Sequence, residues 1–499
     1  MTDPKTGDTG ALSGPRGGPW SCPIREGARR HPDAEALTFA GRSWTYGALD
    51  AEVGQWVKAL EAEGVGAGER VALLATNHAA SVGLFWALGR LGVVLAPLNA
   101  RLTRAELAPL AEDVAPRLTL ALRALVDRLP GARPLEPFVE AKGVPSPTCA
   151  PLSGDAPRVV LFTSGTTGQP KGAVLTEGNF RASSQASAAN LGAHPAPRWL
   201  GTLPLFHVGG LAMLTRTAYE GGCLILHDRF DADTVNRAID AEGVSHASFV
   251  ATTLERVLNA RGDRPVPPTF RLALIGGGPV PMPLLERARA AGMRALQTYG
   301  LTEACSQVTT ERPTEADGRT AGPPLPGVDV RIVGEDGAPR GPGEEGDIEV
   351  RGPTVMAGYW QRPDATREVL RDGWLRTKDL GVLDARGRLT VLSRRTDLIV
   401  RGGENIYPAE VEAVLANHPA VHEVTVVGMP DARWGEVPVA FLAPRAGLPT
   451  PTAEALEAWC RQSLAGFKTP ARFTWVDALP RNAMGKVERG VLRQRSSNG

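Results

Sequence analysis

The chain has 499 residues, 42% hydrophobic and 22% charged, a composition that excludes wholesale disorder, a membrane-embedded bundle and a small stapled scaffold. Lys plus Arg (55) against Asp plus Glu (54) leaves +1, so no global field recruits nucleic acid or an anionic membrane, and a charged substrate must be gripped locally. The five cysteines, Cys22, Cys149, Cys223, Cys305 and Cys460, are scattered and form no CxxC pair, which favours a reducing cytoplasm over a disulfide framework or a zinc site.

Residues 1–20, rich in Gly, Pro, Thr and Asp, lack the apolar core of a signal peptide and are expected to be a mobile leader. From Trp44 to Leu98 the pattern reads helix (Tyr46–Glu63), strand (Arg70–Leu74), helix (Ala79–Leu91) and strand (Val93–Pro97), the alternation of a parallel sheet with crossover helices. Similar units recur from Arg198 to Asn259, with strands at Gly222–His227 and His246–Ala251 around a helix at Ala232–Ala241. Beyond Gly322, short strands with Gly and Pro turns (Val328–Val333, Gly346–Arg351, Arg388–Ser393) predict a β-rich subdomain. After the polar run Ser393 to Asp397 come a helix (Pro408–Ala416), two strands (Val421–Met429, Val437–Pro444) and a helix (Thr452–Ser463). The expected fold is α/β: a large domain over 21–395 with α/β sheets and a β-rich subdomain, then a small, mobile α+β domain over 396–499.

The sharpest local signal is Thr163-Ser164-Gly165-Thr166-Thr167-Gly168-Gln169-Pro170-Lys171-Gly172, between β-like runs at Arg158–Phe162 and Ala173–Thr176. Backbone N–H groups and hydroxyls in such a loop can wrap phosphate oxygens while the lysine offsets their charge. It is not a Walker A loop, because Pro170 precedes Lys171 and Gly172 follows it. A Gly-rich hairpin turn is the plainer alternative.

That decamer resembles the phosphate loop of the adenylate-forming superfamily of acyl-CoA synthetases, adenylation domains and luciferases, and five further segments match in the same order. Gly276-Gly277-Gly278-Pro279 is similar to the strand-end turn that lies along adenine and acyl group. Tyr299-Gly300-Leu301-Thr302-Glu303 is similar to the motif whose tyrosine stacks on adenine, whose threonine touches phosphate and whose glutamate helps hold magnesium. Thr377-Lys378-Asp379 resembles Thr-Gly-Asp, whose aspartate binds the ribose hydroxyls, and Arg394 occupies the place of a second ribose contact. The turn carrying Gly402 and Gly403 resembles the one that borders the thiol channel, and Pro480 to Lys486 resembles the loop with the catalytic lysine.

Singly, each residue has an ordinary explanation: a core tyrosine, a surface glutamate or lysine, a turn aspartate. Together the segments imply ATP, Mg2+ and coenzyme A as cofactors, with Glu303 as the metal ligand. Lys486 and Lys171 would stabilise charge at phosphorus in forming an acyl-adenylate, and rotation of the small domain about Thr396 would then admit the thiol.

Pro204 to Gly210 resembles the acyl-pocket segment of CoA ligases, with His207 able to close over the activated carboxyl. With Asn99 to Thr103 and Leu226 to Asp231, it resembles the o-succinylbenzoate-CoA ligases of menaquinone synthesis. Gly209 stands where those ligases usually have Ser, and Lys378 where they have Gly. Another aryl or medium-chain acid, or transfer to a carrier protein, therefore stays open, as does a homodimer. A second carboxylate on the substrate needs a counter-charge or hydroxyl. Arg216 and Ser306 are the candidates, against an exposed Arg and a helix-capping Ser as their structural alternatives.

Overall fold

The computed structural model describes residues 22–136, 144–150, 153–163, 170–192, 194–278, 280–394, 397–401, 404–431, 433–464, 466–482 and 485–497. The leader 1–20, Ser164 to Gly168, Pro279, Thr396, Gly402 and Gly403 lie outside them, as does the side chain of Arg394.

Four sheets carry the described residues. The first is built on Arg70–Leu74, a strand buried over nearly its whole length, as a central strand covered on both faces must be. It pairs in parallel with Val94–Leu98 and Leu118–Ala121. Beyond Val94–Leu98 the sheet continues into Pro157–Thr163, which forms an antiparallel hairpin with Lys171–Thr176. The preceding helix Ala79–Leu91 is buried on every face. Its strand starts at Val94 rather than Val93 because Gly92 caps the helix in the left-handed region (φ +69°) and the Val93 N–H closes back on the Leu88 carbonyl at 2.9 Å.

The second sheet runs, in parallel at its centre, through Leu272–Ile275, His246–Phe249, Arg198–Gly201 and Cys223–Leu226. The sequence pattern extends the strand at His246 to Ala251. In the fold it stops at Phe249, since the Thr253 hydroxyl accepts the Val250 N–H at 3.1 Å and opens the helix Ala251–Arg261. At one edge the strands Ala295–Leu301 and Ser306–Thr310 pair antiparallel around a three-residue 3-10 turn, Thr302–Ala304. Ser306 therefore begins a strand and caps no helix.

The β-rich unit is a five-stranded sheet including Asp329–Val333, Glu345–Arg351, Trp374–Leu383 and Leu389–Arg394. A separate five-stranded sheet contains only residues after Asp397, among them the long hairpin Val421–Asp431 with Gly435–Pro444. The helix expected at Thr452 begins at Ala453, because the Thr452 hydroxyl accepts the Ala455 N–H at 3.3 Å and so serves as the cap.

Two buried polar clusters fix the layers against one another. Arg158, at the root of the phosphate-loop hairpin, pairs with Glu177 at 3.1 Å, and the Tyr219 hydroxyl donates to the other Glu177 oxygen at 2.7 Å. Asn77 brackets the segment before His207: its amide donates to the Leu203 carbonyl at 3.1 Å and its carbonyl accepts the Leu205 N–H at 2.9 Å. Among the described residues no helix is long and apolar enough to cross a membrane.

Candidate active site

The second sheet supplies the nucleotide side. Ile275 and Gln297 are neighbours in register, so the turn from Gly276 to Gly278 leaves its strand beside Thr298 and Tyr299. A Cβ on Gly276 would lie 3.0 Å from Thr298 Cγ2, and Gly277 has φ +84°, so the turn hugs the strand in a conformation suited to glycine. Tyr299 Oη donates to Asp379 Oδ2 at 2.6 Å, joining the aromatic face to the carboxylate. Asp379 is buried, accepts that bond, and stands opposite Arg394 in the register of the third sheet.

Gly300 lies where the ladder shifts register, and a Cβ there would fall 1.5 Å from the Ser306 carbonyl oxygen. Only glycine lets the chain turn tightly enough to present Thr302 and Glu303. Tyr359 Oη donates to Glu303 Oε1 at 2.9 Å, and the Glu303 carbonyl accepts the Met356 N–H at 2.8 Å. Lys171 Nζ lies 5.5 Å from the centre of the Tyr359 ring. Thr163 and Lys171 are paired across the hairpin, with the Thr163 hydroxyl donating to the Lys171 carbonyl at 3.3 Å. The mouth of the phosphate loop is thus beside Glu303. Nothing in the sequence signals Tyr359, because its partners lie far away along the chain.

His207 precedes the helix Val208–Tyr219. Burial, and then the cationic side chains of Arg101 and Lys486, push its imidazole down to about 4, so the ring is neutral at pH 7. Nε2 is buried and has no hydrogen-bond partner among the described residues. A Cβ on Gly210 would fall 2.2 Å from the Pro204 carbonyl oxygen, and one on Gly209 3.2 Å from Leu203 Cδ1. The loop is therefore held tightly against its helix.

Lys486 comes from the far end of the chain. The Asn482 side chain accepts its N–H at 3.0 Å, while Arg481 donates to the Gly485 carbonyl at 2.8 Å and to Glu423 at 2.7 Å. Arg481 and Asn482 thereby shape the loop that carries the lysine, whose charge is felt at His207. Tyr407, hydrogen-bonded to Glu345, ties the last sheet's unit to the third sheet.

Arg216 is buried, not exposed. It donates to Gln307 Oε1 at 2.5 Å and lies 4.9 Å from the Trp199 ring centre, and burial draws it down to about 10. Its Nε has no partner among the described residues.

A carboxylate oriented by a phenol, two lysines, a phenol–carboxylate pair and a neutral imidazole suit a polyphosphate nucleotide and an acid. The model of the AMP-binding enzyme family matches residues 24–360, and that of the AMP-binding enzyme C-terminal domain matches 410–486. The chain belongs to the AMP-binding enzyme family. Among AMP-binding enzymes it is 40% identical to the 2-succinylbenzoate–CoA ligase of Geobacillus kaustophilus over 94% of this chain and 97% of that one. It is similar to the o-succinylbenzoate CoA synthetase of Bacillus subtilis in complex with its acyl-adenylate intermediate (TM-score 0.89, 37% identity, 95% and 98% of the two chains covered). The complex of the same AMP-binding enzyme with ATP and magnesium gives a TM-score of 0.86 at 37% identity, with 95% and 99% covered.

Proposed function

We propose that this AMP-binding enzyme is an ATP-dependent acid–thiol ligase that activates 2-succinylbenzoate as its adenylate and passes the acyl group to coenzyme A, the ligase step of menaquinone synthesis. The observation that carries the reading is the joining of Glu303 and Lys171 through Tyr359, with Glu303 in the turn that follows the strand of the Tyr299–Asp379 pair, and with the charge of Lys486, from the end of the chain, felt at His207. The extent and identity of the likeness to 2-succinylbenzoate–CoA ligases support the choice of acid.

In the first half-reaction a carboxylate oxygen attacks the α-phosphorus of ATP, the bond to the β-phosphate bridge breaks, and pyrophosphate leaves. Lys486 and Lys171 stabilise the negative charge that grows around phosphorus. His207, neutral, lies over the acyl group and can donate one N–H without adding a charge that would compete with Lys486. Tyr299 offers a face to adenine, Asp379 accepts the ribose hydroxyls with Arg394 beside it, and Thr302 reaches phosphate. Thr163, the hydroxyls of Ser164, Thr166 and Thr167, Gly165, Gly168 and the turn from Gly276 to Pro279 complete the nucleotide's surroundings. Glu303, a hard oxygen donor already aimed by Tyr359, fits magnesium, which when bound offsets phosphate charge. In the second half-reaction the thiol sulfur attacks the acyl carbon and AMP leaves. Movement of the unit after residue 395, past Gly402 and Gly403, opens the way. For the distal carboxylate of the acid, the Arg216–Gln307 pair supplies the counter-charge. The reading places the enzyme in the cytoplasm, acting on small molecules.

The test is pyrophosphate and AMP release with 2-succinylbenzoate, benzoate, anthranilate and octanoate, with and without coenzyme A. Preference for the diacid and a thioester product support the reading. Preference for a monoacid overturns the acid, and indifference to coenzyme A overturns the thiol.

A further inference from the structure

Lys378 immediately precedes Asp379 and has φ +64°, a left-handed backbone that a residue with a side chain adopts only at a cost. Its ammonium lies 2.6 Å from Glu368 Oε1, on the short helix Pro363–Val369. The same helix holds the backbone of Tyr359, whose ring centre lies 5.5 Å from Lys171 Nζ, since the Thr366 hydroxyl accepts the Tyr359 N–H at 2.9 Å. Glu368 is thus paired with Lys378 on the helix that meets Tyr359, two residues beyond Thr366. Its carboxyl is held below the ordinary value first by the hydrogen bond and charge of Lys378, then by the charges of Lys171 and Arg371. A carboxylate beside a phosphate-binding lysine competes for it, because an ammonium bonds most strongly to whichever anion it can reach.

We infer that Lys378 is a positioning residue for ATP: by holding Glu368 it keeps Lys171 on the Tyr359 ring and available to the polyphosphate. The inference rests on the reading of Lys171 as the phosphate lysine. It also assigns a use to a backbone conformation that would otherwise only cost stability. Both side chains are partly exposed, 39% for Lys378 and 53% for Glu368, so the effect is that of a surface pair and weakens with salt.

The experiment compares Lys378→Met, Lys378→Arg, Glu368→Gln, the double variant Lys378→Met/Glu368→Gln and Lys171→Ala. Lys378→Met raises the KM for Mg-ATP about three- to fivefold, the scale of one exposed ion pair, with kcat nearly unchanged. Lys378→Arg and Glu368→Gln keep the parent KM, and the double variant returns to it. AMP affinity, measured by calorimetry, is unchanged in Lys378→Met, because AMP lacks the β- and γ-phosphates. A salt bridge that merely tethers helix to strand gives a different pattern, with Glu368→Gln as harmful as Lys378→Met and no rescue in the double variant. That pattern, or equal loss of AMP and Mg-ATP affinity, overturns the inference alone. An unchanged Mg-ATP KM in Lys171→Ala overturns the reading on which it rests.

Discussion

The phenol of Tyr299 and the carboxylate of Asp379, 80 residues apart in the chain, share a 2.6 Å hydrogen bond. The group proposed to face the base and the group proposed to hold the ribose are therefore positioned by each other. Tyr299→Phe removes the orienting donor but keeps the ring, and is expected to raise the KM for ATP about tenfold or less. Asp379→Ala removes the acceptor as well, with a loss on the order of a hundredfold. Titration calorimetry with ATP and AMP checks both, and equal effects of the two substitutions would contradict the order.

Lys486→Ala is expected to slow acyl-adenylate formation by roughly a hundred- to a thousandfold, the scale of one well-placed donor to a developing charge. Thioester formation from supplied acyl-adenylate continues near the parent rate, because no bond to phosphorus is made or broken in that step. Arg481→Ala, which loosens the loop without touching the lysine, gives a smaller loss in the same half-reaction. Rapid-quench measurement of each half-reaction separates the outcomes.

The stability of the protein carries a histidine signature. His246 is buried against Trp199, with ring centres 4.7 Å apart, and burial first, then neighbouring cations, push it down to about 3. In the unfolded chain it takes up a proton near pH 6.5, so the unfolded state binds more protons below that pH. Its contribution is fully present above about pH 6.5 and is lost as pH falls toward 3. Between pH 7 and pH 5 the parent should lose about 2 kcal/mol more than His246→Phe, which keeps the stacking but cannot titrate. Urea unfolding at the two pH values measures it, and parallel pH profiles would refute it.

Gly300→Ala should be among the most damaging single-methyl additions in the chain. The added carbon would fall 1.5 Å from a backbone oxygen that cannot move without unpairing the strand Ser306–Thr310. A cost on the order of 3 kcal/mol is expected, together with loss of ATP binding, because Glu303 follows three residues later. A folded variant with normal ATP affinity would show that the bulge is dispensable.

Residues that act through local geometry were legible in the sequence. Val71 to Leu74 read as a buried strand because both faces are apolar, and Gly276 and Gly277 read as a strand-end turn through their resemblance, which the close approach to Thr298 and the positive φ of Gly277 explain. Residues that act through a distant partner and lie in no recognised motif were not legible. Tyr359 acquires its role only when the sheet edge at Gly358–Tyr359 pairs with Lys171–Thr176 and brings it to Glu303. Arg216 looked like a surface charge because its periodicity in the helix does not announce Gln307, 91 residues away. Lys378 looked like a mere departure from Thr-Gly-Asp until its backbone angle and its partner on another element were seen together.

The hydrogen bond from Tyr359 to one oxygen of Glu303 bears on the order in which reactants arrive. With Oε1 already accepting from a phenol, Glu303 is one carboxylate with part of its acceptor capacity engaged, and no cluster of three or more potential metal ligands occurs among the described residues. A single hard donor is a poor trap for a strongly hydrated dication, which keeps its waters unless phosphates share the load. Bare magnesium should therefore find no resting place on the free protein, and the metal should enter already carried by the nucleotide. The kinetic consequence is that rate tracks the concentration of the Mg-ATP complex, while excess ATP without metal competes for the same adenine and ribose contacts and slows the enzyme.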